Sequence, residues 1–396
     1  MLSNATNRLL EVARDSFSSS SEFQNASADF FSSVGSASAE EIGRAILELA
    51  HHFNIEDPRR VAILGLICGA LAEEGSNTKL FAGPLLERFA SVLQQSARLV
   101  EEIKPKLPPV PDDEEDDDDD DYSDEDLDGD EYAEADEEFD DADVDGDESD
   151  DAEQELDARE KCFQAELKAL GSEWQAEKRA WDSLDQFWPP SVLVLSLDPS
   201  LRRQYAFLAR DADRIAEFHV AGYWIRTLLS VFDDEPIVVI EPSTKQGILA
   251  RMSGVVDNFQ LHMILMDVFP HAGFIKRRRI SKDIANLAKG IGPQSLEQTV
   301  TGAWNLYDYR AIQTNLQLPD EGQLDGMEYW IWNEGCPADI PELNGRRAIL
   351  LGPPTYQRQW GAVRMFERLP AEINIERALN RNEVKEWLEQ MKSAER

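Results

Sequence analysis

The chain has 396 residues, room for two domains of ordinary size plus a linker, and a formal charge of -39. Residues 112 to 155 hold 30 Asp and Glu and no Lys or Arg, which leaves -9 for everything else. A charge argument against binding polyanions therefore applies to that tract rather than to the folded parts. Cys68, Cys162 and Cys336 fall in three separate segments with no CxxC or Cys/His spacing, which argues against a disulfide framework or a zinc site.

The start, MLSNATNRLLEVARDSFSSSS, lacks the apolar core of a secretory signal, and the most apolar run, Val61 to Ala72, is about half a membrane span. A cytoplasmic location with no membrane association is expected. Residues 1–37 are rich in Ser and Asn and read as a flexible arm. Ser38 with Glu41 makes a capping box, and Ile42, Ile46, Leu49 and Phe53 follow at helical spacing. Asp57 before Pro58 opens a second helix, apolar around most of its axis. Pro84 opens a third, and the prolines from 105 end a small all-α bundle over residues 38–105.

Residues 106–155 read as a disordered acidic linker, since like charges repel and few apolar residues are available to bury. Over 156–188, Leu156, Phe163, Leu170 and Leu184 form one seven-residue series and Leu167, Trp174, Trp181 and Trp188 another. Steps of three and four alternate, which predicts one long amphipathic helix. Its tryptophan-rich seam is bulky for a two-stranded coiled coil, so docking onto the C-terminal domain is expected ahead of self-association.

From 189 to 396 short apolar runs alternate with helical stretches. VLVLSL at 192–197, PIVVI at 236–240, MEYWIW at 327–332 and RRAILL at 346–351 are expected as strands of a mostly parallel, covered sheet. Helices are expected at about 200–216, 247–267, 281–289, 355–368 and 376–391, while 217–232 is ambiguous and an edge strand is an option within 299–312. The fold class expected is thus multidomain: a small helical bundle, an acidic linker, and an α/β domain preceded by a long amphipathic helix.

The stretches SGVVDNFQLHMILMD and WNEGCPADIPELNGRRAILLGPPTY, with EVKEWLEQM near the end, resemble recurring segments of uncharacterised bacterial proteins. The resemblance covers roughly the second half, implies a bacterial source, and carries no activity or site residue with it.

In open α/β sheets, ligands gather at the carboxyl ends of strands. Here that rule selects the loops beginning at Asp198, at Glu241 with Ser243, Thr244 and Lys245, at Asn333 with Glu334, and at Gly352 through Tyr356. Adjacent parallel strands would bring Asp198, Glu241 and Glu334 together around a divalent cation, with Lys245 near a phosphate. The competing reading is helix capping by Asp198 or Ser200, by Ser243 or Thr244, and by Thr355. EPSTKQG lacks the P-loop frame, Cys336 has no base identifiable beside it, and His262 shares an apolar helical face with Val255, Phe259 and Met266, as a core histidine would. Two near-matches to a calcium loop, from Asp124 and from Asp141, both have Ala where the bidentate Glu belongs. Lys276, Arg277, Arg278, Arg279 and Lys282 form the one dense basic cluster, expected to be answered by the acidic tract rather than by nucleic acid.

No catalytic residue, metal or cofactor is expected. The leading expectation is a non-enzymatic interaction module whose partners are other proteins, with two domains tethered by an acidic spacer. The alternative is an enzyme or ligand-binding α/β domain acting on a phosphorylated or nucleotide-like molecule.

Overall fold

A computed structural model describes residues 1–73, 77–109, 148–269, 280–319, 328–354 and 358–394, with side chains omitted at 148–157. It contains an N-terminal helical body and a C-terminal mixed sheet.

Residues 1–37, expected as a flexible arm, form two helices, α1 (Leu2–Arg14) and α2 (Ser20–Val34). Ser19 and Glu22 make a capping box like that of Ser38 and Glu41, and Leu9 and Phe30 are fully buried. Arg60 fixes the corner between α1 and α2 by donating to the carbonyls of Val12, Ala13 and Ser18 at 2.9, 3.2 and 2.8 Å. Helix-end carbonyls with no partner in their own helix are thereby satisfied from 40 or more residues away, which the local sequence could not reveal. The helices α3 (Ala39–Ala50), α4 (Pro58–Glu73) and α5 (Ala82–Ile103) follow as expected.

The expected long helix at 156–188 is broken at Gly171. The chain runs as α6 (Glu148–Ala169), α7 (Gln175–Trp181) and α8 (Leu184–Leu197). The run 192–197, expected as a strand, is therefore the end of α8. An apolar run of that length looks the same whether it is a covered strand or a buried helix. What selects the helix is a notch in α4, where a Cβ added at Gly69 would come within 3.2 Å of Pro190. The apolar seam of 156–188 packs on the N-terminal helices rather than on the sheet. Phe163, Trp181, Leu184 and Phe187 join one core with Leu64, Phe89 and Leu93. The helices α9 (Pro199–Gln204), α10 (Leu208–Ile215) and α11 (Val220–Leu229) complete this body.

The sheet has the order β4-β6-β1-β2-β8, with β5 (Glu342–Leu343) pairing β6. Its strands are β1 (Glu235–Glu241), β2 (Gln246–Ser253), β4 (Asn305–Asp308), β6 (Arg346–Gly352) and β8 (Glu372–Ala378). Only β1 and β6 run parallel, so the sheet is mixed rather than mostly parallel. The error lies in connections. The stretch 247–267, expected as one helix, holds β2 and then α12 (Asn258–Val268), and β2 returns from β1 by a tight hairpin. The run 327–332 contributes one bridge, Tyr307 to Trp330, in place of a strand. Within 355–368, expected as a helix, lies β7 (Gln359–Val363), which pairs with β3 (Ser295–Thr301) in a separate two-stranded sheet. The main sheet is covered on both faces, as expected. On one side Ile237, Val239 and Ile248 meet α12 and α13 (Lys282–Ala288). On the other, Val238, Ile240 and Leu350 meet α14 (Arg381–Ser393).

Candidate functional site

Of the four loops selected at the strand ends, only those at Glu241 and Gly352 meet. Asp198 caps α9, accepting from the Ser200 amide at 2.8 Å, and the Ser200 hydroxyl holds its carboxyl below the usual carboxylate range. It belongs to the helical body. The Glu241 loop is a four-residue hairpin turn and starts no helix, so neither Ser243 nor Thr244 caps one. Glu241 is buried and accepts from the Trp304 indole at 3.2 Å and from the Thr244 hydroxyl. Lys245 is exposed with φ +55.

Because β1 and β6 are parallel, Pro242 and Ser243 do meet Gly352 and Pro353, in a crevice of about 450 Å³ closed by Leu318 and Pro319. Its described lining holds no charged side chain. Tyr356 lies outside the described residues, as do Lys276, Arg277, Arg278 and Arg279; Lys282 is exposed at the start of α13. Asp198, Glu241 and Glu334 do not converge, and no group of three or more His, Cys, Asp or Glu able to hold a metal occurs among the described residues.

Asn333 and Glu334 belong to a loop tied to the start of α12. The amides of Asn258 and Phe259 donate to the carbonyls of Gly335 and Asn333 at 2.9 and 3.0 Å, and the Asn258 side chain donates to Trp332 O at 2.8 Å. Amides of a helix's first turn have no intrahelical partner, so α12 satisfies them by gripping this loop. Beneath it His262 is fully buried, with Nε2 accepting from the Ala303 and Trp304 amides at 3.3 and 3.4 Å. Burial pushes its pKa down to about 4, against the side chain of Asn333, which favours the charged form. The imidazole is therefore neutral at physiological pH and packs between Trp304 and Trp360.

The loop at Glu334 and Cys336, one of those selected from the sequence, borders a cavity whose other walls no local pattern indicated. This cavity is a cleft of about 1010 Å³ between α11 of the helical body and β7 with the 334–339 loop. Tyr223 and Trp224 line one side; Phe259, Trp360, Val363 and Met365 line the other. Trp224 is held by stacking on Trp188 at 5.7 Å and by the edge of Phe366 at 5.4 Å. Five charged side chains line the cleft, Arg226 (paired with Asp213 at 3.0 Å), Asp257, Glu334, Asp339 and Arg364. Asp257, the N-cap of α12, accepts from the Gln260 amide at 2.7 Å, and burial raises its pKa. Glu334 is exposed, and Arg364 is only 2% exposed. Cys336 also lines the cleft, but burial pushes its thiol up, away from the reactive thiolate.

The cleft residues come from segments more than 100 positions apart, and Trp360 and Arg364 sit where helical spacing was read. No local pattern links them. Gly361, a residue poorly suited to a helix interior, was the available hint that 355–368 is something else.

No protein-family model, curated protein or solved structure matches this chain. Its function is read from geometry.

Proposed function

We propose that the chain is a non-enzymatic binding module that holds an extended segment of a partner protein in the cleft between α11 and β7. The observation that carries this reading is the run Trp360, Gly361, Val363, Arg364 and Met365 along the cleft. Side chains of a strand alternate between faces. A cavity touched by neighbouring residues of both parities therefore runs along the strand's edge and not over one face. β7 belongs to a two-stranded sheet, with β3 on one side only. An edge strand with unpaired backbone groups takes an added strand, and side pockets then give selectivity.

The walls suit such a guest. Val363 is 54% exposed and Tyr223 43% exposed, both apolar enough to favour burial by a partner. The volume of about 1010 Å³ leaves room for a short peptide segment. The strand-end crevice at Ser243 and Gly352 has no described cation with which to hold a phosphate, so nothing there favours the phosphorylated-substrate reading.

The test is photo-crosslinking in the source cell with benzoyl-phenylalanine placed at Val363 and, as a control, at Ile375, which is 43% exposed on β8 outside the cleft. A discrete adduct from position 363 and none from 375 is expected. Equal labelling from both positions, or none from 363, removes the reading.

A further inference from the structure

Arg364 is the charged residue of the cleft lining whose buried donors are left open. It is 2% exposed, yet its Nε and Nη1 have no hydrogen-bond partner; Nη2 donates to Gly292 O at 2.9 Å. Among the described residues no carboxylate lies within ion-pair distance of it, and the nearest electrostatic help comes from Glu367. A buried cation without an anion is costly, and such groups are normally paired or bound to a ligand. Its surroundings nonetheless admit it. Gly290 has φ +79, and a Cβ added there would lie 2.8 Å from Arg364 Nη1 and 2.5 Å from Leu369 O. Only glycine leaves that space. The Trp360 indole N–H, from another residue of the same cleft, is a second buried donor with no partner.

Resting on the peptide reading above, we infer that Arg364 receives the chain-terminal carboxylate of the segment bound along β7. Two things favour a terminus over an acidic side chain. Arg364 follows directly on the last residue of β7, so it stands where a strand added to that edge runs out. Two residues further, Phe366 packs edge-on against Trp224 at 5.4 Å, and a guest that ends at Arg364 need not cross that contact. A carboxylate placed there takes the vacant guanidinium donors in a dry, low-dielectric setting, where charge-assisted bonds are strongest.

The experiment uses the full chain, immobilised, and three randomised hexapeptide pools: free acids, C-terminal amides, and amides with one fixed Asp. Retained peptides are counted by mass spectrometry. The native chain is expected to enrich the free acids over both amide pools by roughly tenfold or more, the yield of one charge-assisted hydrogen bond. Arg364→Met should abolish the enrichment, and Arg377→Met, on β8 outside the cleft, should keep it. Without peptide, Arg364→Met should melt at or above the native temperature, because an unpaired buried charge is removed. A lower melting temperature would make Arg364 a structural cation and overturn the inference.

Enrichment of the Asp pool over plain amides would overturn the terminal carboxylate in favour of an acidic side chain. Equal retention of acids and amides removes the role of Arg364 and leaves the peptide cleft standing. Retention of no pool, with a Val363 crosslink still formed, does the same. Loss of both results removes the cleft reading itself.

Discussion

Arg159 donates from its guanidinium to the carbonyl oxygen of Pro108 and to the carboxylate of Glu217. Residues on either side of the acidic tract are thereby joined on one helical body, and Phe163 stacks on Phe218 at 4.4 Å beside them. The tract was expected to separate two domains. Its flanks instead belong to the same core, so it is an excursion from the helical body, and the polypeptide passes to the sheet later, between α11 and β1.

Replacing residues 112–147 by about ten Gly and Ser residues is therefore expected to leave the urea midpoint unchanged. Helix α6 places residue 148 roughly 16 Å from Arg159 at 1.5 Å per residue, and ten extended residues span about 33 Å. Arg159→Met in the same background should lower stability by about 1–3 kcal/mol, because the Pro108 carbonyl and Glu217 lose a charged donor. A large loss from the deletion alone would contradict the shared core.

Gly222 is expected to be irreplaceable. A Cβ there would lie 2.5 Å from Ala212 O and 2.6 Å from Ala216 N, backbone atoms of the helix crossing it. Gly222→Ala should cost about 1–3 kcal/mol through forced separation of α10 and α11. Circular dichroism melts check this, and Gly83→Ala, with nothing within 4 Å of its added Cβ, serves as the control.

His262 predicts a pH dependence of stability. Its folded pKa of about 4 is below the ordinary 6.5, so the unfolded chain binds the extra proton between those values. Stability is then full above pH 6.5 and declines as pH falls toward 4, by about 3 kcal/mol from this group. His262→Gln, which keeps an acceptor for the Ala303 and Trp304 amides, should flatten that part of the profile. Urea titrations of both proteins at pH 7 and 4.5 measure it; parallel curves would show that His262 is not the titrating group.

Lys245 holds φ +55 in the β1-β2 turn, a conformation that glycine adopts without penalty. Lys245→Gly is expected to leave stability unchanged or raise it by up to about 1 kcal/mol, and Lys245→Val to lower it. The opposite order in denaturant midpoints would mean that the lysine side chain itself stabilises the turn.

Several features were legible because they depend on neighbours a few positions away. The Ser38 and Glu41 capping box, the start of α4 at Pro58 and the buried strands β1 and β6 follow from caps and apolar runs, whose physics is local. The capping role of Asp198 was likewise available, since its Ser200 partner stands two residues on. Other features were hidden because their cause is remote. Residues 1–37 are held by remote partners, Arg60 donating to Val12 and Ser18 while Leu9 and Phe30 join the core, and the helix that includes 192–197 lies against Gly69 of α4 through Pro190.

By itself, the sequence determined that this chain has an early helical region, an acidic tract and a later region with a covered sheet, because charge density and hydrophobic periodicity act within a few residues. Only the tertiary structure decided the rest. That the sheet is mixed, that the tract leaves and rejoins one helical body, and that Tyr223, Trp224, Trp360 and Arg364 surround one cleft all depend on which surfaces pack together. Burial and unpaired charge become visible only when distant segments meet.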